Sequence, residues 1–278
     1  MVLKKKLYTP EHPLIMGILN CTEDSFFDGG RYTSEKKILE RADEIISQGA
    51  DIVDIGAVST RPGAELLPPE QESEKIRQAV TLVRKHFPES IISADTCFSG
   101  PARVAADCGA DIINDISGGL FDEYMFQTVA DLQMPYVLTH NRAMPSGMQL
   151  HTAYGNVTHE VVRFLSSQLE KLYMLGAKDV IIDPGFCFAK TLEQNYELMR
   201  NLDAFSIFRE PLMVGISRKS MIYKVLEKTP ETALNGTSAL NTFALLHGAK
   251  ILRVHDVAEA AECVKLMSLL EKPQSPQR

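Results

Sequence analysis

Cysteine is sparse and unpaired in this sequence: Cys21, Cys97, Cys108, Cys187 and Cys263 are the only five, and none stands in a C-x-x-C spacing. An odd, scattered set excludes a disulfide framework or a zinc ribbon and reads as reduced thiols of a cytoplasmic protein, mostly small buried spacers. No G-x-G-x-x-G follows the first apolar run, which removes the dinucleotide-binding fingerprint. Long apolar runs are lacking too. Lys4-Lys5-Lys6 precedes no segment of signal-peptide length and nothing approaches a membrane span, so no membrane role is expected. Positive charge is in deficit, with 29 Lys and Arg against 36 Asp and Glu for a net −7. Such a surface repels polyanions, so no nucleic-acid partner is expected and any phosphate site must be a local cluster of cations. The N-x-T sequons at Asn156 and Asn235 carry no weight without secretion.

What is present is one repeated unit. An apolar, β-branched run ends in a polar cluster and is followed by an amphipathic helical pattern. The runs are LIMGILN (14–20), DIVDIGA (51–57), SIISADT (90–96), DIINDIS (111–117), PYVLTH (135–140), VIIDPG (180–185), LMVGIS (212–217) and ILRVHD (251–256). Between them, Ile38, Leu39, Ala42, Ile45 and Ile46 share one helical face, and Ile76, Val80, Val83 and Phe87 share another that begins at Pro68-Pro69. Thr191-x-x-Gln194 reads as a capping box. Gly-Ala recurs at Gly49, Gly109, Gly176 and Gly248, each suited to a left-handed helix end. Strands apolar on both faces, each joined by a helix, imply a parallel sheet covered by helices. Eight such units predict a single (β/α)8 TIM barrel over 1–278, with residues 1–12 an N-terminal extension and 272–278 a frayed tail.

In such a barrel the chemistry gathers at the C-terminal ends of the strands. Those ends carry Asn20, Asp54, Ser59-Thr60-Arg61, Asp95-Thr96, Asn114-Asp115, His140, Asp183, Ser217-Arg218-Lys219 and Arg253-His255-Asp256. Taken singly, the Asp and Asn residues could be turn caps, Arg253 and His255 a structural pair, and Lys219 a solvated charge. Seven of the eight strands end this way, and polar residues in apolar strands are costly unless paired. Asp and Asn side chains suit a flat heterocycle with amide and amino groups, and Arg with His suits an anion. The residues alone therefore predict a planar polar heterocycle bearing a phosphate-like group. The long segments 22–34 and 58–70 read as loops that close over it.

These motifs resemble those of the dihydropteroate synthase family. MGILNCTEDSFFDGG (16–30), DIVDIGAVSTRPGA (51–64), ISADT (92–96), INDISGG (113–119), DPGFCFAKT (183–191), GISRKS (215–220) and ILRVHDV (251–257) follow the family's order. The resemblance implies a homodimeric barrel and a sulfonamide target that uses Mg²⁺. It would condense 6-hydroxymethyl-7,8-dihydropterin pyrophosphate with 4-aminobenzoate. By motif position, Asp95, Asn114, Asp183, Lys219 and Arg253 would hold the pterin, with Asp95, Lys219 and Arg253 catalytic. Asn20, Arg253 and His255 would take the pyrophosphate, with Asn20 also at the metal. Ser220, Phe27, Asp28, Thr60, Arg61 and Pro62 would complete the aminobenzoate pocket. Arg218 and Lys219, which alone suggest a phosphate clamp, become a salt-bridge former and a pterin ligand. Cys21, Glu23, Ala57-Val58, Cys187 and Ala189 depart from the pattern. So does THNRAMPSGMQ (139–149), so no role passes to His140 or Asn141. Two alternatives stay open. One is a methyltetrahydrofolate–corrinoid methyltransferase, against which GISRKS and STRPG speak. The other is a non-catalytic pterin-binding barrel, which should lack the phosphate grip.

Overall fold

A computed structural model describes residues 2–3, 6–7, 12–21, 31–57 and 66–270. Eight parallel strands close into a barrel: β1 (Leu14–Asn20), β2 (Ile52–Gly56), β3 (Ile91–Asp95), β4 (Ile112–Asp115), β5 (Tyr136–Thr139), β6 (Val180–Asp183), β7 (Leu212–Val214) and β8 (Ala249–Val254). They neighbour one another in chain order, and β8 closes the ring on β1. Ahead of them, Val2–Leu3 pairs antiparallel with Lys6–Leu7. The helices are α1 (Arg31–Ser47), α2 (Pro69–His86), α3 (Ser99–Asp107), α4 (Met125–Leu132), α5 (Val157–Met174), α6 (Leu192–Arg200), α7 (Ser220–Tyr223), α8 (Leu234–Leu246) and α9 (Val257–Ser268). The barrel read from the sequence is thus the fold.

Strand periodicity sorts the residues into layers. Met16, Ile52, Ile91, Ile112, Val137, Ile181, Met213 and Ile251, one from each strand, pack together inside the barrel. The alternate positions, such as Val53, Ile55, Ile92, Ile113, Leu138 and Leu252, face outward into the core beneath the helices. Burying each such aliphatic side chain stabilises the fold by about 1.5–3 kcal/mol. Two residues beyond the apolar layer come Ile18, Asp54, Ser93, Asn114, Thr139, Asp183, Gly215 and Arg253. The same period that fills the barrel with methyl groups therefore lays a polar layer on top of them.

The other end of the barrel is tied down by a second repeat. Gly49, Gly109, Gly176 and Gly248 all have φ between 92° and 98°, which turns each helix into the next strand at no Cβ cost. After the first two of these turns, Asp51 accepts the Ile15 N–H and Asp111 the Ile92 N–H, each at 2.8 Å. The expected Pro start of α2 and the Thr191–Gln194 capping box of α6 are both present. Several strands stop earlier than their apolar runs. Asp115 accepts from Ser117 N–H and Gly119 N–H, and Asp183 from Gly185 N–H, so each carboxylate turns the chain out of the sheet. After β7 the chain forms only the one-turn α7 and reaches the longer α8 through Pro230–Thr232.

Arg84 gathers the turn before β3 and β4. Its guanidinium donates to Pro88, Ser90 and Gly109 carbonyls and to Asp111 Oδ2 at 2.6 Å. Replacing Arg84 with Ala should lower unfolding free energy by ~2–3 kcal/mol, the cost of charged hydrogen bonds left unmade. Urea unfolding measures this. Steady-state activity of the folded fraction should be unchanged, because the clamp sits at the end away from the site.

Candidate active site

The polar layer is organised around Arg253. From β8 its Nε donates to Asp54 Oδ2 at 2.7 Å and its Nη2 to Asp95 Oδ2 at 2.6 Å, joining β8 to β2 and β3 across the barrel mouth. Asn114 Nδ2 donates to the same Asp54 oxygen at 3.1 Å. Asp54 is fully buried, so this pairing offsets a charge that would otherwise be very costly there. The two carboxylates hold the guanidinium protonated beyond its ordinary range, against its burial. Burial pushes the Asp95 carboxyl up to about 7; Arg253 opposes this, while Asp54, Glu72 and Asp115 add to it. Burial likewise raises Asp183, with Lys219 opposing.

Four atoms of this layer are buried without a hydrogen-bond partner among the described residues: Asp54 Oδ1, Ser93 Oγ, Asn114 Oδ1 and Thr139 Oγ1. Buried polar atoms are nearly always paired in folded proteins. Their concentration in one layer marks a surface prepared for a polar ligand.

Lys219 stands at the rim. Its Nζ donates to Phe186 O at 2.8 Å and lies 4.5 Å from the centre of the Phe188 ring. Burial lowers its pKa, opposed chiefly by Cys187 and Asp183. The loop that receives it is strained, with Gly185, Cys187 and Ala189 all at positive φ (70°, 66° and 48°). Lys190 holds that loop from behind. Its buried Nζ donates to Gly185 O at 2.8 Å and Phe188 O at 3.2 Å, and sits 2.9 Å from His140 Nδ1. Burial brings Lys190 down to about 7 and keeps His140 well below its usual range.

A cavity of about 510 Å³ opens above this floor, lined among others by Asn20, Cys187, Phe188, Lys219, Ser220, Arg253 and His255. Asn114, Asp95 and Asp183 are buried and are not among its lining residues. His255 is fixed by Ser217 Oγ, which accepts its N–H, and by Arg41, which donates to its carbonyl. Burial, then Arg253 and Arg218, bring its imidazole down to about 4, so it is neutral at physiological pH. Arg218, at φ 56°, forms a two-pronged ion pair with Asp256, the structural role expected of it. Ser220 Oγ contacts Cys187 Sγ at 3.7 Å. Ser220 opens helix α7, which spans only four residues, a single turn.

The structure thus brings together Asn20, Asp95, Asn114, Asp183, Lys219, Ser220, Arg253 and His255 around one mouth. Phe27, Asp28, Thr60, Arg61 and Pro62 lie outside the described residues. Sequence reasoning gave no role to Asp54, Phe188 or Lys190. For Asp54 a signal existed, since a carboxylate two residues after an inward Ile52 must face inward. For Lys190 there was none, because its partner His140 is 50 residues away.

Comparison with known proteins places these features. The family model described as "Pterin binding enzyme" matches residues 16–255. A dihydropteroate synthase of Synechocystis sp. is 40% identical over 259 residues, 92% of this chain and 89% of that one. The Yersinia pestis dihydropteroate synthase, solved as a sulfonamide drug complex, superposes with a TM-score of 0.91 at 32% identity, covering 98% of this chain and 99% of that one. The Thermus thermophilus dihydropteroate synthase in complex with 4-aminobenzoate gives 0.86 at 32% identity, covering 97% and 98%.

Lys190 generates a pH prediction with a definite sign. Its folded pKa lies below its ordinary 10.5, so the unfolded chain binds the extra proton between pH 7 and 10.5. The penalty for burying it is relieved as pH rises through that window. In urea unfolding, wild type should therefore gain stability relative to Lys190→Met from pH 7 to pH 10. A constant difference would contradict this charge state.

Proposed function

The chain belongs to the pterin-binding enzyme family, and from that membership we propose how its residues divide the reaction. Its activity is that of a dihydropteroate synthase, a transferase of folate biosynthesis. It joins 6-hydroxymethyl-7,8-dihydropterin pyrophosphate to 4-aminobenzoate, giving 7,8-dihydropteroate and pyrophosphate. The observation that carries the assignment of roles is the polar layer: inward Asp and Asn groups with unpaired atoms, crossed by one guanidinium and overlooked by the half-buried ammonium of Lys219.

Asn114, Asp183 and Asp95 would take the amide and amino edge of the pterin, with Lys219 at its rim. Arg253 spends Nε and Nη2 on carboxylates, so its remaining amino group and flat face are what it offers. It would cover the ring and meet the pyrophosphate, together with Asn20 and His255. A pyrophosphate beside the neutral His255 would raise its pKa and draw a proton onto it. Ser220 would meet the aminobenzoate carboxylate, with Phe27, Asp28, Thr60, Arg61 and Pro62 closing the pocket.

The substitution is dissociative. The bond from the pterin methylene to the pyrophosphate oxygen breaks, with its electron pair leaving on pyrophosphate. The electron-rich dihydropterin carries the positive charge, which the Asp95 carboxylate favours. The aromatic amine forms the new C–N bond and then loses a proton. An aniline nitrogen is already unprotonated near neutral pH, so the site needs no strong base.

Mg²⁺ belongs to this proposal through Asn20, a single amide oxygen at the cavity. Among the described residues no cluster of three His, Cys, Asp or Glu could hold a metal. That donor set fits an ion carried mainly by the substrate's phosphate oxygens, as is usual for Mg²⁺. When bound, it would supply charge neutralisation on the departing pyrophosphate. We also propose a homodimer, supported by the exposed Leu246 on α8 and Leu266 on the adjoining α9. A cytoplasmic location is supported by five free cysteines. No helix among the described residues is long and apolar enough to cross a membrane.

A coupled assay should detect dihydropteroate and pyrophosphate from the two substrates with Mg²⁺. Dihydropterin binding without product would favour the non-catalytic alternative, and methyl transfer to a corrinoid the other. Lys219→Ala should lose at least about tenfold in dihydropterin affinity. Arg253→Ala would strand two buried carboxylates at a cost of ~3–5 kcal/mol, so Arg253→Lys is the informative variant. It should weaken the pyrophosphate substrate more than free 6-hydroxymethyl-7,8-dihydropterin. Equal losses in a titration of both ligands would refute the division of labour.

A further inference from the structure

Two of the four side chains in the polar layer with an unpaired atom, Ser93 and Thr139, have no role in the proposed reaction. Ser93 lies opposite Asp54, the carboxylate that Arg253 pairs, in the β2–β3 ladder. Thr139 lies opposite Asp183 in the β5–β6 ladder, at the last residue of its strand. It is 1% exposed, and its hydroxyl has no partner among the described residues. A valine would fill the same space in a β-strand without burying a donor and an acceptor that the fold does not use.

Asp183 shows what the hydroxyl is beside. Its Oδ1 accepts the Gly185 N–H at 2.8 Å, and its Oδ2 lies on the side of Gly215, a residue that lines the cavity. A carboxylate only accepts, whereas a hydroxyl can turn to accept or donate. Side by side on adjacent strands, the two present an acceptor next to a group able to donate. That pattern matches the edge of a flat heterocycle on which N–H groups alternate with ring nitrogen or carbonyl oxygen.

We propose that Thr139 is a further ligand-binding residue of this site, its hydroxyl hydrogen-bonding the heterocycle edge that Asp183 also contacts. The proposal rests on the assignment of Asp183 to the pterin. It gives the unpaired hydroxyl a partner only when ligand is bound, so the free protein should not need it.

Thr139→Val removes the hydroxyl and keeps the shape, while Thr139→Ser keeps the hydroxyl and removes the methyl. In calorimetric titration with 6-hydroxymethyl-7,8-dihydropterin, the Val variant should bind about five- to tenfold more weakly, the worth of one hydrogen bond. The Ser variant should stay within about twofold of wild type. The Tm of the free Val variant should equal or exceed that of wild type. Val binding within about twofold of wild type, or Ser as weak as Val, overturns the proposal. So does a Val variant that fails to fold or melts lower, since the hydroxyl would then serve the fold. If wild type itself does not bind the dihydropterin, the pterin assignment of the whole site falls. If it binds and the variants match it, this inference alone falls.

Discussion

Arg253 lies between Asp54 and Asp95, and most of what the mouth of this barrel does depends on that contact. Three charges from β8, β2 and β3 are buried together, with Asn114 of β4 tied to the same carboxylate. Burying any one of them without its partners would be costly. Together they fix half of the rim before any substrate arrives, and burial raises the Asp95 carboxyl against the pull of Arg253. The guanidinium that would meet the pyrophosphate is therefore also the counter-ion of the carboxylate that would favour the cationic methylene. Binding and chemistry share one charge balance.

The remaining architecture keeps this cluster dry and in place. A strand alternates its side chains, so the inward apolar layer at Met16, Ile52, Ile91 and their counterparts dictates that the next inward layer stands two residues higher. That layer is polar because the sequence places Asp, Ser, Asn, Thr and Arg there, and the apolar layer beneath excludes water from below. Elsewhere on the rim, Lys190 and Lys219 both hold the same strained loop, one through Gly185 and Phe188 carbonyls and the other through Phe186. The strain at Cys187 and Ala189 persists because these buried contacts over-determine it, Asn195 Oδ1 accepting the Cys187 N–H at 2.7 Å among them.

Much of this was legible in the residues. The eight strand–helix units, the Gly-Ala turns and the capping box are local patterns, and each formed where its chemistry placed it. The ring of strand-end residues was legible for the same reason, and so was the structural role of Arg218. What escaped depends on contacts between distant parts of the chain. Arg253 and Asp54 are 199 residues apart, and nothing local pairs them. Lys190 sits in a motif read for its neighbour Asp183, yet its partner is a histidine on β5's following loop. The one-turn α7 was hidden because Ser220 to Tyr223 looks like any helix start, and only packing decides how far it runs.

The account stands most directly on the charge coupling of Asp54, Arg253 and Asp95. A ¹³C NMR titration of the Asp95 carboxyl in wild type and in Asp54→Asn measures it. The account predicts a midpoint near 7 in the free wild-type protein and a lower one in Asp54→Asn, where a neighbouring negative charge is gone and Arg253 is left to Asp95 alone. A wild-type midpoint in the ordinary carboxylate range, or one that does not move in Asp54→Asn, would contradict it.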